Sequence, residues 1–122
     1  MIKSILQSVK RLLGISEDDD SFDQNIVMMI NSTLDILSQL GVEEANSYVV
    51  TGADETWDDL LKGRKDLEIV KTYIFMKVSM MFDPPASSAA MEAYKRQIDE
   101  HEWRICNSYK KGVSVNEQQP TS

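Results

Sequence analysis

Two adjacent prolines, Pro84 and Pro85, interrupt a long helix-forming region of this 122-residue sequence at one point. Apolar side chains recur every three or four residues before them, over 67–82, and after them, over 88–110. This is the spacing of amphipathic helices. Proline has no backbone N–H to donate and disfavours helical geometry at the preceding residue. We therefore expect the first helix to end at Asp83 and the prolines to form a stiff corner between the two helices.

Residues 2–13 have the pattern of another amphipathic helix, which ends at Gly14. Its basic residues, including Lys10 and Arg11, are expected on the side opposite the apolar face. This apolar stripe is no wider than that of an ordinary bundle helix, so we expect it to pack on protein, in its own chain or a neighbour, rather than on lipid. The apolar positions are Ile2, Ile5, Leu6, Val9, Leu12 and Leu13.

A further helix begins after the acidic run 17–20. Ser21 and Gln24 have the spacing of a capping box, in which a serine side chain and a glutamine side chain satisfy backbone donors at a helix start. We expect this helix to reach about Leu40. Met28 lies opposite its apolar face and is a candidate contact with a partner or another subunit. The predicted core positions are Phe22, Ile26, Met29, Ile30, Thr33, Leu37 and Leu40.

The middle of the chain connects these helices. Residues 42–55 are expected to be a loop, because the one strand-like stretch there, "SYVVT", has no other strand to pair with. Thr56 can cap a short helix, "WDDLLK", which has acids in its first turn. Asp66 is the expected N-cap of helix 67–82, which is apolar around most of its circumference and should be central. A serine after the prolines, Ser87 or Ser88, can cap the last helix.

These patterns predict an all-α fold, a small bundle of four main helices plus one short helix. We expect one helical domain over residues 1–111 and a disordered tail over 112–122, whose apolar content is too low to fold alone. The composition, 42% apolar and 27% charged, is ordinary for a globular protein. No apolar run approaches the ~20 residues that span a bilayer, and we expect a soluble intracellular protein.

The sequence contains no recognisable catalytic, cofactor or metal site. His101 and Cys106 are about 140° apart around a helix, too far to share a metal ion. The acidic run 17–20 lacks the glycine and glutamate that a calcium loop needs. Cys106 has no identifiable base, and there is no glycine-rich phosphate loop. We therefore predict no enzymatic activity and no cofactor. The net charge of −7 argues against nucleic-acid binding through a basic surface.

Several apolar side chains have more than one possible role. Trp103 is about 160° from the apolar face of the last helix, so either another helix of the same chain covers it or it contacts another subunit or partner. Val113 and Val115 alternate as in a short extended segment and are candidate contacts too. Core gap-filling is the expected role of most methionines, namely Met29, Met76, Met80, Met81 and Met91.

Three stretches occur in a familiar order: "LLGISEDDDSFDQNIVMMI", then "TWDDLL", then "FDPPASSAAMEAYKRQIDEHEWRI". An acidic helix start after an "LGI" turn, a short tryptophan-bearing helix and an "FDPP" corner resemble the head–tail connector (adaptor) proteins of long-tailed bacteriophages and prophages. The resemblance covers about residues 12–105. "FDPP" followed by an "EWR" helix is its most specific part.

The resemblance implies a structural, non-enzymatic virion protein. Such proteins assemble as a ring, commonly of twelve subunits, between the portal protein and the next neck or tail-completion protein, and the ring extends the DNA channel. Double-stranded DNA would pass through without specific binding. The protein would reside in the virion neck, and in the host cytoplasm before assembly. In the family, C-terminal segments reach toward the portal, so we expect residues 112–122 to become ordered there or on a neighbouring subunit.

Two other functions remain open at this point. A small acidic protein can act as a regulator or DNA mimic that inhibits a nucleic-acid-binding partner, but many of the acids here stand at helix starts rather than in a stripe. Helix 2–13 could instead bind a membrane surface, although the domain that carries it is acidic.

Overall fold

A computed structural model of the protein describes residues 3–62, 64 and 68–109, without the side chains of the last two. These residues form five α-helices and one 3-10 turn, Glu43–Ala45. The only β-type pairing in the described part is an isolated antiparallel bridge between Ser4 and Thr56. The all-α prediction is confirmed. The helices are α1 (Ile5–Leu12), α2 (Asp23–Gln39), α3 (Trp57–Leu61), α4 (Glu68–Phe82) and α5 (Ser88–Tyr109).

Helix α4 is central, as its sequence predicts, because it packs against α1, α2 and α5. Its residue Tyr73 is fully buried, and the Tyr73 hydroxyl donates a 2.6 Å hydrogen bond to the Glu102 carboxylate on α5. This bond fixes the register of the two helices. The rest of the core comes from every described helix and from the loop before α3, and includes Ile5, Ile26, Leu37, Val50, Leu60, Val78 and Ile105.

Helix α1 is held by backbone pairing as well as by its apolar face. The Ile5 N–H donates to the Glu55 carbonyl at 3.0 Å, and the Trp57 N–H donates to the Lys3 carbonyl at 3.1 Å. Because residues 3–4 are extended in this pairing, the helix begins at Ile5 rather than at residue 2. The predicted core position Leu12 is wrong, since that side chain is 54% exposed.

The predicted capping box of α2 is also wrong. Its N-cap is Phe22, which makes no side-chain capping hydrogen bond. The Ser21 N–H instead donates to the Asp19 carboxylate at 3.0 Å, so the serine belongs to a turn of the acidic run. Phe22 is 41% exposed rather than in the core, and its ring meets Phe82 edge-on.

The other predicted helix ends agree with the structure where they can be compared. Thr56 caps α3 in a full capping box with Asp59. Gly41 follows α2 with a φ of 106°, in the left-handed region that favours glycine. The predicted cap Asp66 and the predicted tail, 112–122, lie outside the described residues.

The two prolines form the expected corner between α4 and α5. The last helix-type hydrogen bond joins the Asp83 N–H to the Ser79 carbonyl at 2.9 Å, and Pro84 follows immediately. Ser87 caps α5, because its hydroxyl accepts from the Ala90 N–H at 3.1 Å. Within the described part of the chain, no helix combines the length and apolar content needed to cross a membrane.

Candidate interaction surface

The outer face of α2 carries the most exposed large apolar side chain among the described residues. Met28 is 68% exposed, and Val49, in the loop before α3, is 56% exposed. Met81, near the end of α4, is 41% exposed and was wrongly predicted to lie in the core. The prediction that Met28 lies opposite the core face is confirmed.

Two shallow depressions meet at Met28, and we call them together the Met28 groove. The first, of about 270 Å³, lies between α2 and the end of α4. The second, of about 410 Å³, lies between α2 and the loop before α3. Met28 and Ser32 line both. The other lining residues are Asn25, Met29 and Met81 in the first depression and Asn31, Asp35, Tyr48 and Val49 in the second.

The loop before α3 forms one side of the groove, and the side chain of Asn31 fixes this loop to α2. The Asn31 side-chain oxygen accepts from the Val50 N–H at 2.8 Å, and its amide nitrogen donates to the Val50 carbonyl at 2.9 Å. Val50 is buried beneath this pair. Successive side chains of an extended segment point to opposite sides, so burying Val50 turns Val49 outward into the groove.

The second depression has an acidic border. Asp35 lines it directly and is exposed. Burial raises the pKa of the Tyr48 hydroxyl to about 12, with a smaller contribution from the negative charges of Asp59 and Glu55 nearby. These carboxylates favour a basic group beside the apolar lining.

Lys10 contradicts the prediction that it lies on the side of α1 opposite the apolar face. Its side chain is fully buried, and its Nζ lies 2.9 Å from Asp23 Oδ1 at the start of α2. That carboxylate oxygen has no directed hydrogen bond, so the contact is an ion pair. The Lys10 Nζ does donate to the Glu17 carbonyl at 3.2 Å. The long apolar part of the side chain lets the lysine cross the helix interface. Its ammonium group therefore connects α1 to the acidic run 17–20 and to the start of α2.

The remaining predicted contact residues do not join the groove. Asp83 and Pro84 are exposed at the corner and Pro85 is partly buried. Trp103 is partly buried on α5 and does not line the groove, and its role as an intramolecular or intermolecular contact stays a prediction. Val113 and Val115 lie outside the described residues.

The described residues form no cluster that could hold a metal ion, since they contain no group of three or more His, Cys, Asp and Glu side chains placed to do so. His101 Nδ1 lies 2.9 Å from the carbonyl of Gln97, one turn earlier on α5. Cys106 is a partly buried free thiol.

Sequence reasoning predicted the outward position of Met28 but missed the residues that build the groove around it. The pairing of Asn31 with Val50 joins positions 19 residues apart, and no local pattern indicates it. Val49 had a usable signal, because two adjacent valines in an extended loop cannot both point inward.

The sequence matches one known protein family over most of its length. The family described as phage connector protein matches residues 5–112. No curated protein and no solved structure matches the chain. Phage connector proteins are structural components that join head and tail and are non-enzymatic in kind. Because the match covers most of the sequence, from α1 to beyond α5, the chain belongs to the phage connector protein family.

Proposed function

We propose that this protein is a ring-forming adaptor that binds the portal protein and presents a surface to the next neck or tail-completion protein. The family match over residues 5–112 carries the connector role. The Met28 groove supports assembly, because it leaves apolar side chains exposed on a domain whose core is otherwise closed. The protein then resides in the virion neck.

The corner at Pro84 and Pro85 suits a ring subunit. A closed ring repeats one subunit-to-subunit rotation, so a small error in the shape of each subunit accumulates around it. The prolines restrict the angle between α4 and α5, and the Phe22–Phe82 contact joins the corner to the start of α2. The subunit therefore presents its surfaces in a fixed relation.

The charge of the protein suits a channel for double-stranded DNA. At −7 per subunit, the ring repels the phosphate backbone on average. DNA can then pass without being held by the wall. We expect a ring of twelve subunits on the portal and no role for a membrane, since Ile5, Leu6 and Val9 of α1 are buried in the core.

Negative-stain imaging of the purified protein mixed with its portal tests the proposal. We expect portal particles to gain an additional ring on the axis of the channel. A Met28→Asp variant should show fewer such particles, whereas Lys95→Asp, at an exposed position of α5, should behave like the wild type. Portal particles that stay bare at saturating protein would contradict the adaptor function.

A DNA-mimic regulator is the second candidate, and only the net charge favours it. The structure uses several of the acids locally. Asp19 and Asp59 accept backbone N–H groups, and Glu55 accepts from the Thr51 hydroxyl and the Gly52 N–H. Gene order separates the two candidates, because a connector gene lies among portal, capsid and tail genes.

A further inference from the structure

We infer that the Met28 groove binds residues 110–115 of a neighbouring copy of this chain. The inference rests on the proposed ring assembly and assigns the contact that links one subunit to the next. Lys110 and Lys111 would lie at the acidic border of the groove, and Val113 and Val115 would occupy its two depressions.

The segment carries two apolar side chains, and each depression of the groove has apolar lining. The groove offers two neighbouring depressions that share Met28 as their common wall. In an extended chain, Val113 and Val115 point to the same side about 7 Å apart. Methionine adapts its flexible side chain to the group it contacts, and both depressions contain Met28. Two small branched side chains can therefore contact the mainly apolar first depression and the apolar part of the second, which Met28 and Val49 line.

Charge favours the same pairing. The groove carries the exposed Asp35, with Glu55 and Asp59 close enough to Tyr48 to act on its hydroxyl. The only two adjacent lysines in the sequence, Lys110 and Lys111, are separated from Val113 by one glycine. Opposite charges at the edge of an apolar contact favour the correct register and speed encounter.

The geometry of α4 and α5 excludes the same chain as the source of Val113 at the first depression. The five-residue corner makes these helices antiparallel, and Tyr73 pairs with Glu102 across them. A helix rises about 1.5 Å per residue. Measured along the helix axes from the Tyr73–Glu102 contact, Tyr109 is therefore about 10 Å away on α5, and Met81 is about 12 Å away in the opposite direction on α4. The four residues from Tyr109 to Val113 span at most about 14 Å. A gap of about 22 Å therefore requires a neighbour's segment.

Such a contact joins two different surfaces of the same protein. Interfaces of this head-to-tail kind generate closed rings when the rotation closes, whereas identical surfaces generate pairs. The groove and the tail therefore supply a repeating contact without any change in the folded domain.

A labelled synthetic peptide of residues 110–122, titrated with the full-length protein at low salt, tests the inference by fluorescence anisotropy. We expect saturable binding that is at least about tenfold weaker for Met28→Asp. Leu12→Asp is the matched control, because Leu12 is also a large exposed apolar residue but lies on α1, away from the groove, and it should bind the peptide normally. A peptide with Val113→Ser and Val115→Ser should bind weakly. Absence of binding, or equal binding to Met28→Asp, would overturn the inference.

Disulfide cross-linking identifies the neighbour and separates this inference from the ring proposal. In a Cys106→Ser background, which removes the one native cysteine, Val49→Cys protein is mixed with Val115→Cys protein in the presence of portal. We expect covalent heterodimers, and none when Leu12→Cys replaces Val49→Cys. Rings on the portal without this cross-link would overturn the inference and leave the adaptor function intact. Cross-linking without rings would support the contact and contradict the adaptor function.

Discussion

At the scale of single residues, the buried Lys10 connects three parts of the chain through one ammonium group. Its ion pair with Asp23 joins α1 to α2, and its hydrogen bond to the Glu17 carbonyl holds the segment between them. Removing one partner of a buried pair leaves the other charge without compensation, which costs about 3–5 kcal/mol when both are buried. Asp23 keeps 28% of its side chain exposed, so part of that cost is relieved by water.

We therefore expect Lys10→Ala to lower the free energy of unfolding by about 2–4 kcal/mol. Arg11→Ala, the adjacent exposed residue, should change it by less than about 0.5 kcal/mol. Urea denaturation followed by circular dichroism measures both. Equal effects of the two substitutions would show that the Lys10 ion pair contributes nothing beyond a surface charge.

The raised pKa values of two tyrosines predict that the protein loses stability at high pH. Burial raises the pKa of Tyr48 to about 12. Burial, followed by the hydrogen bond to Glu102, raises the pKa of Tyr73 further above its usual 10. The folded state thus retains these protons when the unfolded state has released them. Stability should be complete below pH 10 and fall as pH rises above it, by up to about 1.4 kcal/mol per pH unit for each tyrosine.

Urea midpoints at pH 9, 10 and 11 measure this loss, and Tyr73→Phe is its control. The phenylalanine cannot ionise, so the decline above pH 10 should be shallower by up to one tyrosine's share. An unchanged slope in Tyr73→Phe would mean that Tyr73 does not contribute to the pH dependence.

At the scale of elements, hydrogen bonds at the corner between α4 and α5 define the helix ends, whereas the two prolines restrict the angle between the helices. Asp83 ends α4 and Ser87 begins α5 by hydrogen bonds that do not involve the prolines. Pro84→Ala with Pro85→Ala should therefore preserve the helix content. Stability should fall by about 0.4–1 kcal/mol per proline, because the unfolded chain gains conformational freedom.

The larger effect of this double substitution should be on assembly, where the angle between the helices matters. We expect fewer rings on the portal by negative-stain imaging, with a circular dichroism spectrum like that of the wild type. Ser88→Gly, at an exposed position just beyond the prolines, leaves both prolines in place and should assemble normally. Normal ring formation by the double mutant would mean that the corner ends α4 but has no effect on assembly.

The sequence predicts elements better than it predicts their edges. The apolar spacing identified the four main helices, because burial of one face decides helix position in a small bundle, and the capping pattern at Thr56 identified α3. Helix starts were less predictable where a turn hydrogen bond or a contact between helices intervenes. Ser21 has an ideal capping spacing, but Asp19 engages its backbone N–H. Likewise, nothing near Lys10 in the sequence indicates that Asp23 would draw it inward.

At the scale of the whole molecule, the protein combines a closed core with an open apolar groove. The core involves all described helices, so the domain can fold without a partner. The groove is small, and each subunit carries a charge of −7 that repels its neighbours. We therefore expect a monomer or weak oligomer at low concentration and rings when the protein is crowded or bound to portal.

Light scattering over a concentration series, with and without portal, measures this behaviour. Met28→Asp should stay monomeric to higher concentrations than wild type, while Leu12→Asp should not differ from it. A wild-type mass that remains monomeric with portal present would contradict assembly altogether.

The backbone pairing of α1 with the residues around Thr56 has a consequence for the timing of folding during synthesis. The Ile5 N–H needs the Glu55 carbonyl, and the Trp57 indole N–H donates to the Ser8 hydroxyl at 3.0 Å. At a translation rate of about 5–20 residues per second, α1 waits for seconds before these partners leave the ribosome. During that interval the apolar stripe of α1 lacks part of the chain that buries it in the folded protein. A slow codon cluster before Thr56 would lengthen the wait, so the yield of folded protein should depend on the translation speed of this short interval.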